Sequence, residues 1–217
     1  MTDFLYPFIE EEEHDAAGLL TDLARSARAK AEEGDDLRSS TLATEGDTIR
    51  SAAQDMAHRF ARGGTLFAFG NGGSATDATA LVSLFRGPSA QLPLRARSLV
   101  AEPAVLTALG NDVGFELIFS RQLIAHARAG DIAVGFSTSG SSQDLIRAFS
   151  EARRLGLLTV GLAGFDGGRM AASSDIDHCI VVRGASVHRI QETQAAVGVV
   201  LWQQVHSILA GGSERTR

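Results

Sequence analysis

Thr65-Leu66-Phe67-Ala68-Phe69-Gly70-Asn71-Gly72-Gly73-Ser74 is an apolar run that stops at glycines and a serine, after which the apolar residues of 74–86 recur at helical spacing. About sixty residues on, a second apolar run ends at Ser137-Thr138-Ser139-Gly140-Ser141-Ser142 and again enters a helical pattern. Each junction is a strand-to-helix turn rich in small or hydroxylated residues. Such turns leave backbone N–H groups and hydroxyls free to hold an anion.

Working outward from these two turns, strand-like runs fall at 65–69, 96–100, 131–136, 157–163 and 178–183. Helical patterns lie between them near 74–86, 103–109, 114–128 and 142–155, with a last helix at 187–210. Alternation of this kind predicts a parallel sheet covered on both faces, an α/β three-layer sandwich. Two helices precede it, at 14–33 and 38–62, with a break expected near Gly34-Asp35-Asp36. Residues 1–62 read as an N-terminal helical hairpin and 63–217 as the sheet-bearing part of the same domain. In open sheets of this class ligands bind outside the carboxyl ends of the strands, where both polar turns are delivered.

Composition narrows the class of function. The chain has 217 residues, 44% of them hydrophobic and 21% charged, enough for one well-buried domain. A net charge of −6 lacks the dense basic face that direct, sequence-independent nucleic-acid binding requires. No apolar stretch reaches the length of a membrane span, and the acidic run Glu10 to Glu13 is unlike a secretory leader, so a cytosolic location is expected. The one cysteine, Cys179, sits in the apolar stretch Ile176 to Val182 and reads as a strand thiol rather than a nucleophile.

The glycine turn alone excludes more than it assigns. Gly70-Asn71-Gly72-Gly73 has neither the spacing of a dinucleotide fingerprint nor the lysine of a P-loop. The hydroxyl cluster says more, because five hydroxyls in residues 137–142 exceed the one that caps a helix. Ser142 can serve as that cap, which leaves Ser137, Thr138 and Ser139 to face an anion.

Seven segments in order carry a resemblance: Gly70-Asn71-Gly72-Gly73-Ser74-x-x-Asp77-Ala78, Leu106-Thr107-Ala108-x-x-Asn111-Asp112, Phe119-x-Arg121-Gln122, Gly130-Asp131, Ser137-Thr138-Ser139-Gly140-x-Ser142, Gly164-x-Asp166-Gly167-Gly168 and Arg189-Ile190-Gln191-Glu192. Together they resemble the sugar isomerase (SIS) domain family and, within it, the phosphoheptose isomerase branch. The resemblance implies a flavodoxin-like fold with a five-stranded parallel sheet, a homotetramer with sites between subunits, and a phosphorylated sugar such as sedoheptulose 7-phosphate as ligand. It further implies that Asn71, Gly72 and Ser74 line the sugar site, that Ser137, Thr138, Ser139 and Ser142 hold the phosphate, and that Asp112 and Gln191 reach the sugar or a metal.

The departures from that pattern are as specific as the matches. In the isomerases the helix after the glycine turn carries His and, four residues later, Glu, a spacing that puts both on one face for zinc binding and proton transfer. Ala80 and Leu84 stand there in this chain, and Val199 stands where a second His follows Gln191 by eight residues. The expectation is therefore no metal, since the amide of Gln191 alone does not hold zinc. His188, at a position where the isomerases carry Asp, and Glu192, one helical turn further, are the candidates for replacement acid–base groups. A second reading is a non-catalytic phosphosugar-responsive scaffold with a protein partner, similar to the family branch that binds the replication initiator DnaA.

Other features have plain structural readings. His206 lies 15 residues past Gln191, about 22 Å along a helix, too far to share one sugar atom. His14, His58, His126 and His178 lack the paired spacing of a zinc site. Phe4, Leu5, Tyr6, Phe8 and Ile9 form a short apolar arm suited to packing on another subunit, and Trp202 with Val197 to Leu201 suits a core or interface.

Overall fold

In the computed structural model, residues 16–87 and 92–214 are described. The apolar arm, Glu10 to Glu13 and His14 lie outside them. The chain divides into two units, residues 1–36 and 37–217. The described part of the first is helical and exposes Leu19, Leu20 and Leu23.

The second unit contains the sheet. Its strands are β1 (Leu66–Gly70), β2 (Ala96–Ser98), β3 (Ile132–Ser137), β4 (Leu158–Gly164) and β5 (His178–Val182), all parallel, in the order β2-β1-β3-β4-β5. The helices are α1 (Ala16–Thr44), α2 (Gly46–Ala61), α3 (Gly73–Arg86), α4 (Pro103–Asp112), α5 (Ile118–His126), α6 (Gln143–Arg154), α7 (Gly168–Ala171) and α8 (Val187–Glu214). This is the expected three-layer α/β sandwich of flavodoxin-like strand order.

Strand alternation explains the layers. Leu66, Ala68, Ile132, Val134, Phe136 and Val160 face α2, α3 and α8, where they join Met56, Phe85 and Val197 in one core. Phe67, Phe69 and Ala133 face the other way, onto α5 and α6. There Phe69 packs against Phe119 and Phe149 with ring centroids 5.3 Å apart in both pairs, the tilted geometry aromatic rings favour. Each of these fully buried rings contributes about 1.5–3 kcal/mol relative to exposure. The buried pattern runs through every residue of β1, β3 and β4, which is why these strands read as continuous apolar runs.

The expected break at Gly34 is corrected. The helix continues through it, since a glycine costs only about 1 kcal/mol in a helix interior and the neighbouring turns supply their hydrogen bonds. The chain bends instead at Glu45. The Thr44 hydroxyl back-bonds to the carbonyl of Ser40 at 2.9 Å, a contact that bends helices, and Glu45 turns its carboxylate to Arg183 at 2.7 Å. The expected helix over 114–128 is likewise shorter, a 3₁₀ turn at Phe115–Leu117 followed by α5, because Gly114 with φ of 111° starts the segment outside helical geometry. The four-residue α7, between paired glycines and Ala172, is too short for periodicity to announce.

Candidate functional site

The strand order reverses direction at β1 and β3: the chain leaves β1 toward β2 on one side and leaves β3 toward β4 on the other. A crevice opens at the carboxyl ends of such a strand pair. Both polar turns stand there, because Gly70 is paired with Phe136, the residue before Ser137. Neighbouring strands lie about 4.8 Å apart, so the two junctions face each other at side-chain reach.

The serine loop is organised around Ser137. Its Oγ accepts from the backbone N–H of Gly140 at 3.1 Å and lies 3.3 Å from Ser142 Oγ and 3.4 Å from Ser139 Oγ. Three hydroxyls thus converge on one another. Ser142 occupies the N-cap position of α6, yet its side chain makes no cap hydrogen bond and turns to Ser137 instead. The loop closes because Gly140 adopts a φ of 61° and packs so tightly that a Cβ there would stand 2.2 Å from the carbonyl oxygen of Gly167. Only glycine fits both constraints. Thr138 is half-buried at the same turn, with its carbonyl against Gly164.

Asn71 and Asp144 join the two turns. The Asn71 Nδ2 donates to Asp144 Oδ2 at 2.8 Å, linking the residue after β1 to the first turn of α6. Asp144 is buried, and burial raises its pKa; the hydrogen bonds from Asn71 and from the backbone N–H groups of Leu145 and Asp144 oppose that rise. Asp144 was not singled out from the sequence. Its signal was present only as an acidic residue in a helix first turn, where solvated capping is the commoner explanation.

Gly72, with φ of 57°, precedes α3 at the N-cap position, and Ser74 is buried in the first turn. Gln191, from the first turns of α8, lies across Gly73: a Cβ at Gly73 would meet both amide heteroatoms at 2.4 Å. The same amide hydrogen-bonds Asp77, one turn along α3 from Gly73. Asp77 Oδ2 is buried without a partner, and desolvation pushes this carboxyl up to about 6 although the Gln191 bond lowers it. The backbone of α8 is held at this height by buried Gln194, whose Nε2 donates to the carbonyls of Leu162 at 3.1 Å and Ser137 at 3.3 Å.

The remaining candidates face solvent or have other partners. Asp112 is exposed at the end of α4 and accepts from Asn111 at 2.8 Å. His188 is exposed on the first turn of α8, and Glu192 is exposed and paired with Arg189. His206 is buried between ring neighbours Phe85 and Trp202, with Nδ1 at 2.9 Å from the carbonyl of Trp202 and Nε2 at 3.1 Å from that of Leu92. Burial pushes the half-buried Cys179 thiol up to about 11, so it is not a thiolate at neutral pH.

Ala80 and Leu84 of α3 and Val199 of α8, remote in sequence, line one cavity of about 550 Å³ together with Asp77, Phe136 and Trp202. None of the three carries an atom that can ligate a metal. Among the described residues no group of three His, Cys, Asp or Glu side chains is placed to hold an ion. No described helix is long and apolar enough to cross a membrane.

Comparison with known proteins agrees with this architecture. The SIS domain pattern matches residues 31–164. The chain is 42% identical to the phosphoheptose isomerase of Desulfovibrio desulfuricans over 178 residues, 81% of this chain and 83% of that one. It is 39% identical to that of Paramagnetospirillum magneticum, over 78% of this chain and 91% of the relative. Among solved structures, phosphoheptose isomerase GmhA from Neisseria gonorrhoeae superposes with a TM-score of 0.80 at 32% identity, covering 85% of this chain and 99% of the other. The phosphoheptose isomerase of Francisella tularensis gives the same TM-score at 26% identity, with 85% and 98% covered. With its sheet order, its paired polar turns and these likenesses in agreement, the chain belongs to the SIS domain family.

Proposed function

We propose that this chain binds a phosphorylated sugar in the crevice between the ends of β1 and β3, as a relative of the phosphoheptose isomerases with altered proton-transfer chemistry. The observation that carries the reading is the convergence of Ser137, Ser139 and Ser142 on one point beside the glycine turn. Neutral hydroxyls and backbone N–H groups beside a helix N-terminus suit a phosphate ester, with Asn71, Gly72, Ser74 and Gln191 on the sugar side. Donor-free side chains at 80, 84 and 199 support a chemistry without zinc at those positions. The test is calorimetric titration with sedoheptulose 7-phosphate, followed by NMR for aldose product. Binding that disappears in Ser137→Ala/Ser142→Ala is expected, and absence of binding overturns the reading.

One observation favours a second element of function, association of copies. Helix α4 contains Val105, Leu106 and Leu109 yet none of its residues is fully buried. An apolar helix left open in this way supports the homotetramer implied by the family resemblance. Sedimentation equilibrium measures it, and a monomer at micromolar concentration overturns it. A phosphosugar-dependent protein partner is the non-catalytic alternative, favoured if the titration shows binding and NMR shows no product.

A further inference from the structure

The cavity lined by Ala80, Leu84, Val199 and Trp202 bears on what the sugar must look like. Its volume of about 550 Å³ lies within the range of small-molecule sites, and like them it is mostly hydrocarbon and aromatic, with Asp77, Ser83 and the Trp202 indole N–H as its polar side-chain groups. Its floor is dense: a Cβ at Gly198 would lie 3.4 Å from Leu81 and 3.9 Å from Phe136. The walls are open. Ala80 and Val199 are exposed, and Leu84 and Trp202 only half-buried, so part of each side chain is left to face the cavity.

Charge and position limit the occupant. The lining contains one carboxyl and no cation, which excludes a phosphate from the cavity and leaves the serine loop as its place. Ala80 stands six residues along α3 from Ser74, about 9 Å at helical rise, so the cavity begins beyond the sugar end of the crevice. A free polyol chain fits it badly, because each hydroxyl would exchange water for hydrocarbon without a new partner.

We infer that the ligand is a phosphorylated sugar whose end remote from the phosphate carries an apolar group, aliphatic or aromatic, seated between Ala80, Leu84, Val199 and Trp202. This rests on the phosphosugar reading of the crevice and deepens it. Asp77, at the junction of crevice and cavity, accepts a hydrogen bond from the sugar where the polar part ends. The apolar side chains at 80, 84 and 199 then form a specificity pocket.

The test compares glucose 6-phosphate with phenyl β-D-glucoside 6-phosphate by calorimetry on the full chain. The phenyl compound is expected to bind at least tenfold more tightly. Ala80→Phe, which fills the cavity from an exposed position, and Leu84→Glu, which charges it, are each expected to erase that advantage while glucose 6-phosphate binds as before. Circular dichroism melts identify any variant that fails to fold, and the folded one of the two decides. Equal affinity of the two ligands for the wild type overturns this inference and leaves the phosphosugar reading standing. So does an advantage that survives the substitutions. If the variants change the sedimenting mass without touching the advantage, a second copy covers the cavity and the inference fails. Failure of both ligands to bind overturns this inference, while the sedoheptulose 7-phosphate titration decides the phosphosugar reading separately.

Discussion

Asn71 Nδ2 donates to Asp144 Oδ2 across 2.8 Å, so the loop that ends β1 and the helix that begins after the serine loop are held by one hydrogen bond beside the proposed phosphate position. Removing the donor in Asn71→Ala leaves a buried carboxylate short of a partner, at a cost of about 1–3 kcal/mol. Asp144→Asn keeps the shape and removes the charge. Urea unfolding is expected to show the first variant destabilised and the second at or above wild type, while titration with inorganic phosphate shows Asp144→Asn binding several-fold more tightly.

Ser137 organises the hydroxyl cluster, yet its loss is expected to be mild for folding. The Gly140 N–H retains the Ser137 carbonyl at 3.3 Å when the hydroxyl is gone. Ser137→Ala should therefore cost about 1 kcal/mol of stability and about tenfold in affinity for a sugar phosphate. Calorimetry beside a urea melt separates the two effects.

Two glycines of the site should respond differently to alanine. At Gly140 the left-handed backbone and the Gly167 carbonyl both resist a methyl group, and neither can move cheaply. Gly140→Ala is expected to cost about 3 kcal/mol or more, lowering Tm by about 6–12 °C. At Gly73 the obstacle is only the end of the Gln191 side chain. Gly73→Ala should cost about 1–2 kcal/mol, because swinging that amide away takes its hydrogen bond from Asp77, with scanning calorimetry as the measure.

The Asp77 carboxyl titrates near 6 in the folded chain against 3.8 for an unperturbed group. Between those values the native state holds the proton more strongly than the unfolded state, so stability falls as pH rises through the window and the loss is complete above about 6. Because the group is partly solvated, the effect is discounted to about 1 kcal/mol. Asp77→Asn is thus expected to exceed wild type by that amount at pH 8, with the gap closing toward pH 4, in urea unfolding at both values.

Much of this was legible before any coordinates. The buried strands β1, β3 and β4 are unbroken apolar runs, and their ends are marked by glycine or serine, so the expected boundaries differ from the observed ones by a residue or so. The bend at Glu45 was not legible, since it depends on Arg183, 138 residues away. Gly34 drew the break because local propensity is all that a sequence window contains. Asp144 escaped, and Asp77 was named only as part of a motif, for the same reason: their raised pKa values come from burial by other elements.

By itself the amino-acid order determined the alternation of strand and helix, the two polar junctions and the apolar character of positions 80, 84 and 199, because strand alternation, helix period and turn chemistry act within a few residues. Only the tertiary structure decided that Ala80 and Val199, on helices separated in sequence by four of the five strands, face one cavity, and that Gln191 rests on Gly73 beside Asp77. Cavities and perturbed carboxyls arise where elements meet, and the meeting is set by how the whole sheet and its covering helices pack.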